Sequence, residues 1–259
     1  MFKNKLKEKL QAGEKLIGTW NTISSPAITE IIASTGIDFL VIDFEHGPFD
    51  LSNLTNYTNS CLGHNVSPIV RLPSNQDWLF LQALDQGAHG LICPHISSLK
   101  DSEKFTSSTK YHPEGSRGYS PYTKAGKYTH KESESNIESS NEDIFNMAII
   151  ESEEGLKNIE SICSDKKLDA VYFGSYDISH ALGVPADIKN PIVIEAINTA
   201  KVIAKKHGKF TGGFVAFDNA DMKWQYEQDF DIIMYGVDSY LLKREYVNML
   251  STFKNKVKE

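Results

Sequence analysis

The sequence FLVIDFEH, residues 39–46, joins an apolar run directly to a cluster of ionisable residues. Residues 39–42 are four apolar residues in succession, which is how a parallel strand buried on both faces appears in sequence. Asp43, Glu45 and His46 follow at once. The stretch therefore predicts a buried strand that carries polar side chains at its carboxyl end.

Three other apolar runs end in the same way. They are residues 68–70 before Arg71, residues 147–150 before Glu151, and residues 170–173 before Gly174-Ser175-Tyr176-Asp177. If the four strands belong to one parallel sheet, their carboxyl ends converge on one face. Two carboxylates, an imidazole and a guanidinium on that face would form an active site.

The number of apolar runs indicates the fold. Eight can be counted, each followed by a helical pattern: residues 16–20, 39–42, 68–70, 90–93, 147–150, 170–173, 210–216 and 232–235. Eight strand–helix units in 259 residues favour an α/β fold of the (β/α)8, or TIM barrel, type with a single domain. A doubly wound sheet would accept the same alternation, but the GxGxxG loop that often follows its first strand is missing here.

Several helix boundaries are predicted by local signals. Ser25 and Pro26 predict the start of a helix that stops at Gly36, and Asn190 with Pro191 predicts the start of a longer one. A helix is also predicted to begin near residue 50, and others over residues 78–86 and 99–109.

The polar segment 116–143 does not fit the strand–helix rhythm. We therefore expect one barrel domain over residues 1–259 with a polar insertion at about 116–143. The insertion is too long for a plain connection, so it is interpreted as a lid, an interface arm or a locally disordered segment. A helix at 99–109 would place it on the face opposite the site, unless it folds back.

Composition excludes several classes of function. A net charge of −7 without a basic stripe argues against a nucleic-acid partner. The three cysteines, Cys61, Cys93 and Cys163, lack CxxC spacing and indicate neither a disulfide framework nor a zinc site. No apolar run approaches the ~18 residues of a membrane span, and residues 1–10 lack the apolar region of a signal peptide. A cytoplasmic location is expected.

Glu151 and Asp177 are the candidate metal pair. Two carboxylates, completed by water and substrate oxygens, suit a hard divalent ion such as Mg²⁺ or Mn²⁺. The alternative interpretation is that each acidic residue only caps the helix that follows its strand. The presence of His46 and Arg71 at equivalent positions favours the metal interpretation.

His46 and Arg71 are the other candidate site residues. An acidic neighbour, Asp43 or Glu45, could orient the His46 ring as a general base, although a lone loop histidine is the simpler interpretation. Arg71 could bind a carboxylate or enolate oxygen, or it could form a structural salt bridge to one of the same acids. The remaining polar candidates have weaker signals. His64, His95 and His112 are expected to be ordinary loop histidines, Arg117 to brace its loop, and Gly212-Gly213 either to hold a phosphate or to pack tightly.

At these residues the sequence resembles the HpcH/HpaI family of class II pyruvate aldolases, which includes 2,4-dihydroxyhept-2-ene-1,7-dioate aldolase. The resemblance covers nearly the whole chain and rests on the number, order and spacing of short motifs. These are Gly18-Thr19-Trp20, FLVIDFEHGP at 39–48, Val70-Arg71, YHPEGSRG at 111–118, Ile150-Glu151, GSYDIS at 174–179 and Gly236-Val237-Asp238.

The resemblance implies a role for each matching residue. Glu151 and Asp177 would bind a divalent metal, Mg²⁺ or Mn²⁺, with Co²⁺ also compatible. Pyruvate would bind as a metal-bound enolate whose charge Arg71 neutralises, and His46, oriented by Asp43, would move the proton of the 4-hydroxyl group. The remaining substrate-binding positions are Trp20, Tyr176 and the backbone N–H groups near Asp177. The family also implies a homo-oligomer, a trimer or hexamer, with sites at subunit contacts.

The chain departs from the family pattern at three places. Ile149 stands where glutamine is frequent, Tyr176 replaces a small residue in a segment without its usual proline, and His95 stands at a usually apolar position. These changes alter the walls of the pocket and leave the metal, arginine and histidine positions intact. They make the reaction type a firmer expectation than the substrate.

The sequence thus predicts a metal-dependent lyase that cleaves a 4-hydroxy-2-oxo acid to pyruvate and an aldehyde, or runs the reverse condensation. One alternative is a thioester lyase similar to the citrate lyase β subunit, which would need basic residues for a CoA phosphate, and none cluster beside these motifs. The other is a catalytically idle barrel that serves as a binding protein. Loss of any of the four site residues would favour it, and all four are present.

Overall fold

Eight parallel strands close into one barrel in the computed structural model, which describes residues 4–256. The strands are β1 (Leu16–Asn21), β2 (Phe39–Asp43), β3 (Ser67–Arg71), β4 (Gly90–Cys93), β5 (Phe145–Ile150), β6 (Ala170–Phe173), β7 (Phe210–Gly213) and β8 (Ile232–Val237). Each pairs in parallel with the next, and β8 pairs with β1. The predicted single-domain (β/α)8 barrel is confirmed. The expected domain limits, residues 1 and 259, lie outside the described residues, as do the first three residues of the N-terminal segment.

Most of the helices follow a strand and cover the outside of the barrel. They are α1 (Leu6–Gln11), α2 (Pro26–Ala33), α3 (Leu54–Gly63), α4 (Asp77–Asp85), α5 (Leu99–Thr109), α6 (Ser133–Asp143), α7 (Glu153–Lys157), α8 (Ile159–Cys163), α9 (Ser175–Ala181), α10 (Pro191–Lys206), α11 (Asn219–Glu227) and α12 (Asp238–Lys256). The start of α10 is as predicted, since the Asn190 side chain accepts a hydrogen bond from the backbone N–H of Ile192 at 3.2 Å. Within residues 4–256, no helix combines the length and apolar character needed to cross a bilayer.

Two predicted elements differ from the structure. The seventh strand ends at Gly213 rather than Ala216, because Phe214 adopts a φ of 65°, which turns the backbone out of the strand. Ala216 returns to the sheet only as a single bridge to Tyr235. The helix expected near residue 50 begins as a 3-10 turn, Leu51–Asn53, before α3.

The barrel interior explains why polar residues at the strand ends face one another. Val41, Ile69 and Ile149 belong to the apolar cluster inside the barrel. Side chains alternate between the two faces of a strand, so the residues two positions later point the same way. Asp43 and Arg71 are those residues in β2 and β3, and Glu151 follows the end of β5 with the same spacing. At the other end, α1 closes the interior with two leucines.

The polar insertion lies at the amino ends of the strands. Its helix α6 ends beside Asn4, whose side-chain amide donates to the carbonyl oxygens of His89 at 2.9 Å and Asp143 at 2.6 Å. Lys124 in the same segment donates to the Asn59 side chain of α3 at 2.6 Å. His89 directly precedes β4, so these contacts mark the face opposite the strand ends that carry the candidate residues. The segment is therefore not a lid over the site of its own protomer.

Candidate active site

A cavity of about 350 Å³ opens at the carboxyl ends of the strands. It is lined by Trp20, Thr22, Asp43, His46, Arg71, Tyr172, Gly174, Ser175, Tyr176, Asp177, Val215, Phe217 and Val237. All of the candidate residues except Glu151 therefore line one cavity. Glu151 adjoins it, since a Cβ at Gly174 would lie 2.9 Å from the Glu151 Cβ and 3.4 Å from its Oε2. A glycine at position 174 leaves the room that the Glu151 side chain occupies.

Arg71 is held by two acids. Asp43 and Arg71 are direct partners in the β2–β3 register, so their side chains leave neighbouring strands at the same level. The guanidinium makes two hydrogen bonds to the Asp43 carboxylate, one of them from Nε at 2.8 Å. It also lies 3.1 Å from Glu45. Both of the salt bridges considered as a structural role for Arg71, to Asp43 and to Glu45, are present, and they fix the guanidinium in position.

The Trp20 ring also contacts the Arg71 guanidinium group. The guanidinium carbon lies 4.3 Å from the centroid of the Trp20 ring. Such a cation–π contact adds about 1 kcal/mol and sets the plane of the guanidinium group. The Arg71 side chain still keeps 12% of its surface exposed, whereas that of Asp43 keeps 1%. Arg71 is thus rigid and open to the cavity at the same time.

The His46 side chain lies in the exposed turn after β2. One oxygen of Asp43 accepts the backbone N–H groups of Glu45 at 3.0 Å and of His46 at 3.2 Å. Within the described residues, no hydrogen bond or ion pair joins the His46 ring to Asp43. The expected orientation of the ring by Asp43 is therefore wrong in its detail, because Asp43 fixes the backbone of the turn and uses its remaining capacity on Arg71.

The Glu151 carboxyl group is desolvated and lies near other negative charges. Burial raises its pKa, and the negative charges of Asp177 and Glu45 raise it further, against the opposing effect of His95. The Glu151 side chain is 10% exposed. Asp177 lies in the first turn of α9 and is exposed. The two acids thus differ, one being desolvated and the other accessible.

His95 was not among the predicted site residues, and its expected role as an ordinary loop histidine is wrong. Its backbone N–H donates to Glu151 Oε1 at 2.7 Å, and its ring Nδ1 lies 2.6 Å from the same oxygen. Its Nε2 lies 3.5 Å from Glu45. The sequence did contain a signal, because His95 follows the end of β4 by two residues, as Glu45 follows the end of β2.

Arg117 and His64, two of the weaker candidates, do not line the cavity. Arg117 pairs with Asp85 at 2.7 Å, which confirms that it braces its loop. His64 lies 3.8 Å from Glu30 on the surface. Gly212 provides close packing, since a Cβ there would lie 2.8 Å from the Tyr172 ring.

Comparisons with known proteins identify similar chains. The sequence model of the HpcH/HpaI aldolase/citrate lyase family matches residues 16–244. A 5-keto-4-deoxy-D-glucarate aldolase of Escherichia coli O6:H1 is 30% identical over 254 residues, which cover 98% of each chain. An HpcH/HpaI aldolase from Desulfitobacterium hafniense superposes with a TM-score of 0.91 at 29% identity, covering 96% of each chain. The citrate synthase SbnG superposes with a TM-score of 0.89 at 28% identity over the full length of both chains.

Proposed function

The chain belongs to the HpcH/HpaI aldolase/citrate lyase family and is a lyase of the aldolase type, and we propose that it cleaves a 4-hydroxy-2-oxo acid to pyruvate and an aldehyde, or runs the reverse condensation, with a divalent metal. The observation that carries this proposal is the convergence of Arg71, Glu151 and Asp177 at one end of the barrel. These residues supply a cation for an enolate beside a pair of carboxylates for a metal.

The carboxylates fit a divalent ion in charge and in chemistry. The raised pKa of Glu151 reflects burial near two other negative groups, an arrangement that a cation would relieve. In the part of the chain that the structure describes, no three His, Cys, Asp or Glu side chains surround a common point. Water and substrate oxygens would therefore complete the coordination, as Mg²⁺ and Mn²⁺ accept. Co²⁺ is compatible with the same ligands.

Arg71 has the geometry needed to stabilise an enolate oxygen. Its position is set before substrate arrives, by Asp43, Glu45 and the Trp20 ring. A preorganised cation stabilises a developing negative charge without reorganising during the reaction. A bound divalent ion would supply a Lewis acid for the carboxylate and keto oxygens of pyruvate. We assign the neutralisation of the enolate to Arg71.

We assign proton transfer at the 4-hydroxyl group to His46. Its exposed ring lines the cavity on a turn whose backbone Asp43 fixes. An imidazole ring can take or return a proton through a water molecule. Trp20 and Tyr176 line the same cavity and are the proposed contacts for the substrate, while the N–H groups in the first turn of α9 would receive its carboxylate.

The thioester-lyase alternative receives less support. Among the described residues that line the cavity, Arg71 is the only arginine or lysine, and two acids already engage it. A CoA phosphate would need further basic groups. The idle-barrel alternative is also weaker, because the arrangement retains a desolvated carboxyl group and an open cavity.

We propose that the protein is a homo-oligomer, a trimer or hexamer. Apolar side chains are exposed along the 19-residue helix α12: Tyr240, Leu242, Tyr246, Val247, Met249, Leu250 and Phe253. A groove of about 450 Å³ with a mostly apolar lining that includes Ile17, Ile28 and Ile31 lies beside the start of this helix. Contiguous exposed apolar surface of this kind is typical of a protein interface. The other proposed partners are a small 2-oxo acid and an aldehyde.

Exchange of the pyruvate methyl protons in D2O, followed by NMR, tests the proposed function with pyruvate alone, so the identity of the aldehyde does not matter. Exchange is expected with Mg²⁺ or Mn²⁺ and should stop with EDTA or in Glu151→Gln. Glu153→Gln is the matched control, since Glu153 is exposed and pairs with Lys157. Absence of exchange with every divalent metal would overturn the pyruvate assignment.

A further inference from the structure

The cavity has one apolar side, which is formed after β7 and at the ends of β8 and β1. It consists of Val215, Phe217, Val237 and the Trp20 ring, which we call the apolar wall. Val237 and Trp20 are partners in the β8–β1 register, so they stand at the same level of neighbouring strands. The side chains of Val215, Phe217 and Val237 contain only hydrocarbon. A substrate group at this wall therefore meets carbon rather than charge.

The hydroxyl groups beside the apolar wall are already engaged. The Tyr172 hydroxyl donates to the carbonyl oxygen of Phe214. The Thr22 hydroxyl donates to the Asp238 carboxylate at 2.7 Å. Tyr172 and Thr22 line the cavity, but their hydroxyl hydrogens are used within the protein. The oxygen atoms that remain can accept hydrogen bonds and cannot donate one to a carboxylate.

Three contacts hold Phe217 in place. Its backbone N–H donates to the Asp221 carboxylate at 3.2 Å, and its carbonyl oxygen accepts Nη1 of Arg244 at 2.6 Å. Its ring packs edge to face against Tyr240, with 4.7 Å between the ring centroids. The apolar wall is therefore formed before substrate binds, so its polarity can select among substrates.

No further cation is available for a negatively charged group at this wall. Among the described residues that line the cavity, Arg71 is the only arginine or lysine, and two acids already hold it. Arg244, which contacts the Phe217 backbone, does not line the cavity and pairs with Glu245 at 3.1 Å. A carboxylate placed against the wall would lose its water without gaining a counter-ion, which is unfavourable.

The proposed roles of the other residues leave this wall to the aldehyde portion of the substrate. Glu151 and Asp177 follow β5 and β6, Arg71 ends β3, and His46 follows β2. In cleavage, the C3–C4 bond breaks, the hydroxyl proton passes to His46, and the electron pair stays on pyruvate as its enolate. The released aldehyde carries the substituent of C4. The sides after β5, β6, β3 and β2 serve pyruvate and the hydroxyl group, so this substituent faces the apolar wall.

We propose that the aldehyde carries an uncharged, apolar substituent rather than a second carboxylate, and that Phe217, with Val215 and Val237, selects it. The inference rests on the proposed pyruvate aldolase function and adds its substrate class. Removal of a hydrocarbon group from water against this wall is favourable, whereas removal of an unpaired carboxylate is costly.

Condensation of pyruvate with two aldehydes of matched shape tests the proposal. The aldehydes 4-methylpentanal and 4-oxobutanoate are equal in their number of non-hydrogen atoms, and the first carries an isopropyl group where the second carries a carboxylate. The wild-type kcat/KM, measured by NMR of the 4-hydroxy-2-oxo acid product with Mg²⁺ or Mn²⁺, is expected to favour 4-methylpentanal by about 10- to 100-fold. This comparison requires no variant.

Three variants test the role of the wall through the ratio of the two kcat/KM values, 4-methylpentanal over 4-oxobutanoate. Phe217→Arg gives the wall a cation and should lower the ratio by about 10-fold or more. Phe217→Leu keeps the wall apolar and should keep the ratio within about threefold of the wild type. Val202→Arg is the matched control, since it adds the same charge at an exposed position of α10 outside the cavity and should leave the ratio unchanged.

Exchange of the pyruvate methyl protons, measured on the same protein, separates the two levels of the proposal. Exchange with a wild-type preference for 4-oxobutanoate, with equal use of both aldehydes, or with use of neither would overturn the substrate class and leave the pyruvate site standing. An equal fall of the ratio in Phe217→Leu and Phe217→Arg, or an unchanged ratio in folded Phe217→Arg, would overturn the role of Phe217. Absence of exchange would remove the proposed function, and the substrate class with it.

Discussion

Two arginines at opposite ends of the barrel make nearly the same contacts. Each guanidinium carbon lies 4.3 Å from the centroid of an aromatic ring, and each guanidinium group pairs with an aspartate. The partners are Trp20 and Asp43 for Arg71, and Tyr111 and Asp85 for Arg117. By contact type alone, the two sites cannot be told apart.

Their surroundings differ in exposure and in charge. The Arg117 side chain is 1% exposed, and the backbone N–H of this residue donates to the carbonyl of Lys110, so it ties the insertion to the barrel. The Arg71 side chain is 12% exposed, lines a cavity and meets a second acid, Glu45. A paired arginine thus becomes a candidate for catalysis when it has an open side and neighbouring negative charge, and it otherwise braces the fold.

Replacing Arg71 should have the largest effect on the rate of pyruvate proton exchange. Arg71→Ala should lower the rate of pyruvate proton exchange by about 1,000-fold, since one preorganised donor to an oxyanion contributes about 10²- to 10³-fold. The rate is measured by NMR at saturating metal on folded protein. Arg117→Ala should remain within about threefold of the wild-type rate, as it lies far from the reacting atoms. A loss below tenfold in Arg71→Ala would remove Arg71 from its proposed role.

Replacing Arg117 should affect stability rather than catalysis. Arg117→Ala should lower the free energy of unfolding by about 4 kcal/mol, because it leaves Asp85 with an uncompensated, mostly buried charge. Urea denaturation followed by circular dichroism gives this value. Lys157→Ala removes an exposed pair with Glu153 and should cost only about 0.5 kcal/mol. Equal losses in the two variants would show that burial does not distinguish these ion pairs.

Lys110 lies at the same end of the barrel, where its backbone carbonyl accepts the N–H of Arg117. Its buried amino group makes the stability of this end depend on pH. Burial lowers the pKa of Lys110 to about 8, with a further contribution from the nearby positive charge of Lys7. The unfolded chain, with a lysine pKa near 10.5, therefore binds more protons than the folded protein between pH 8 and 10.5. Stability relative to Lys110→Met should rise with pH across this window, by up to about 3 kcal/mol.

The difference between the unfolding free energies of the wild type and Lys110→Met, measured by urea denaturation at several pH values, cancels the titration of other groups. Lys157→Met is the control, and its difference from the wild type should stay constant. A difference for Lys110→Met that stays flat between pH 8 and 10.5 would contradict the effect of burial at this end of the barrel.

Much of the fold was predictable because its signals are local. The apolar runs of β4 and β6 were predicted with their observed limits, residues 90–93 and 170–173, and the cap at Asn190 marked the start of α10. The end of β7 was not predicted, because no glycine or turn residue marks the positive φ at Phe214. The polar insertion was visible, but its location depended on contacts with Asn4 and α3.

In the candidate site, too, some features were predictable from the local sequence and others depended on the fold. The sequence by itself determined which residues stand at the carboxyl ends of strands, because strand and turn preferences are set by neighbours a few positions away. Only the tertiary structure decided that Asp43 serves Arg71 rather than the His46 ring, and that His95 reaches Glu151, 56 positions along the chain. Strand register and barrel closure set those pairings, and both depend on packing between distant segments, which no local pattern encodes.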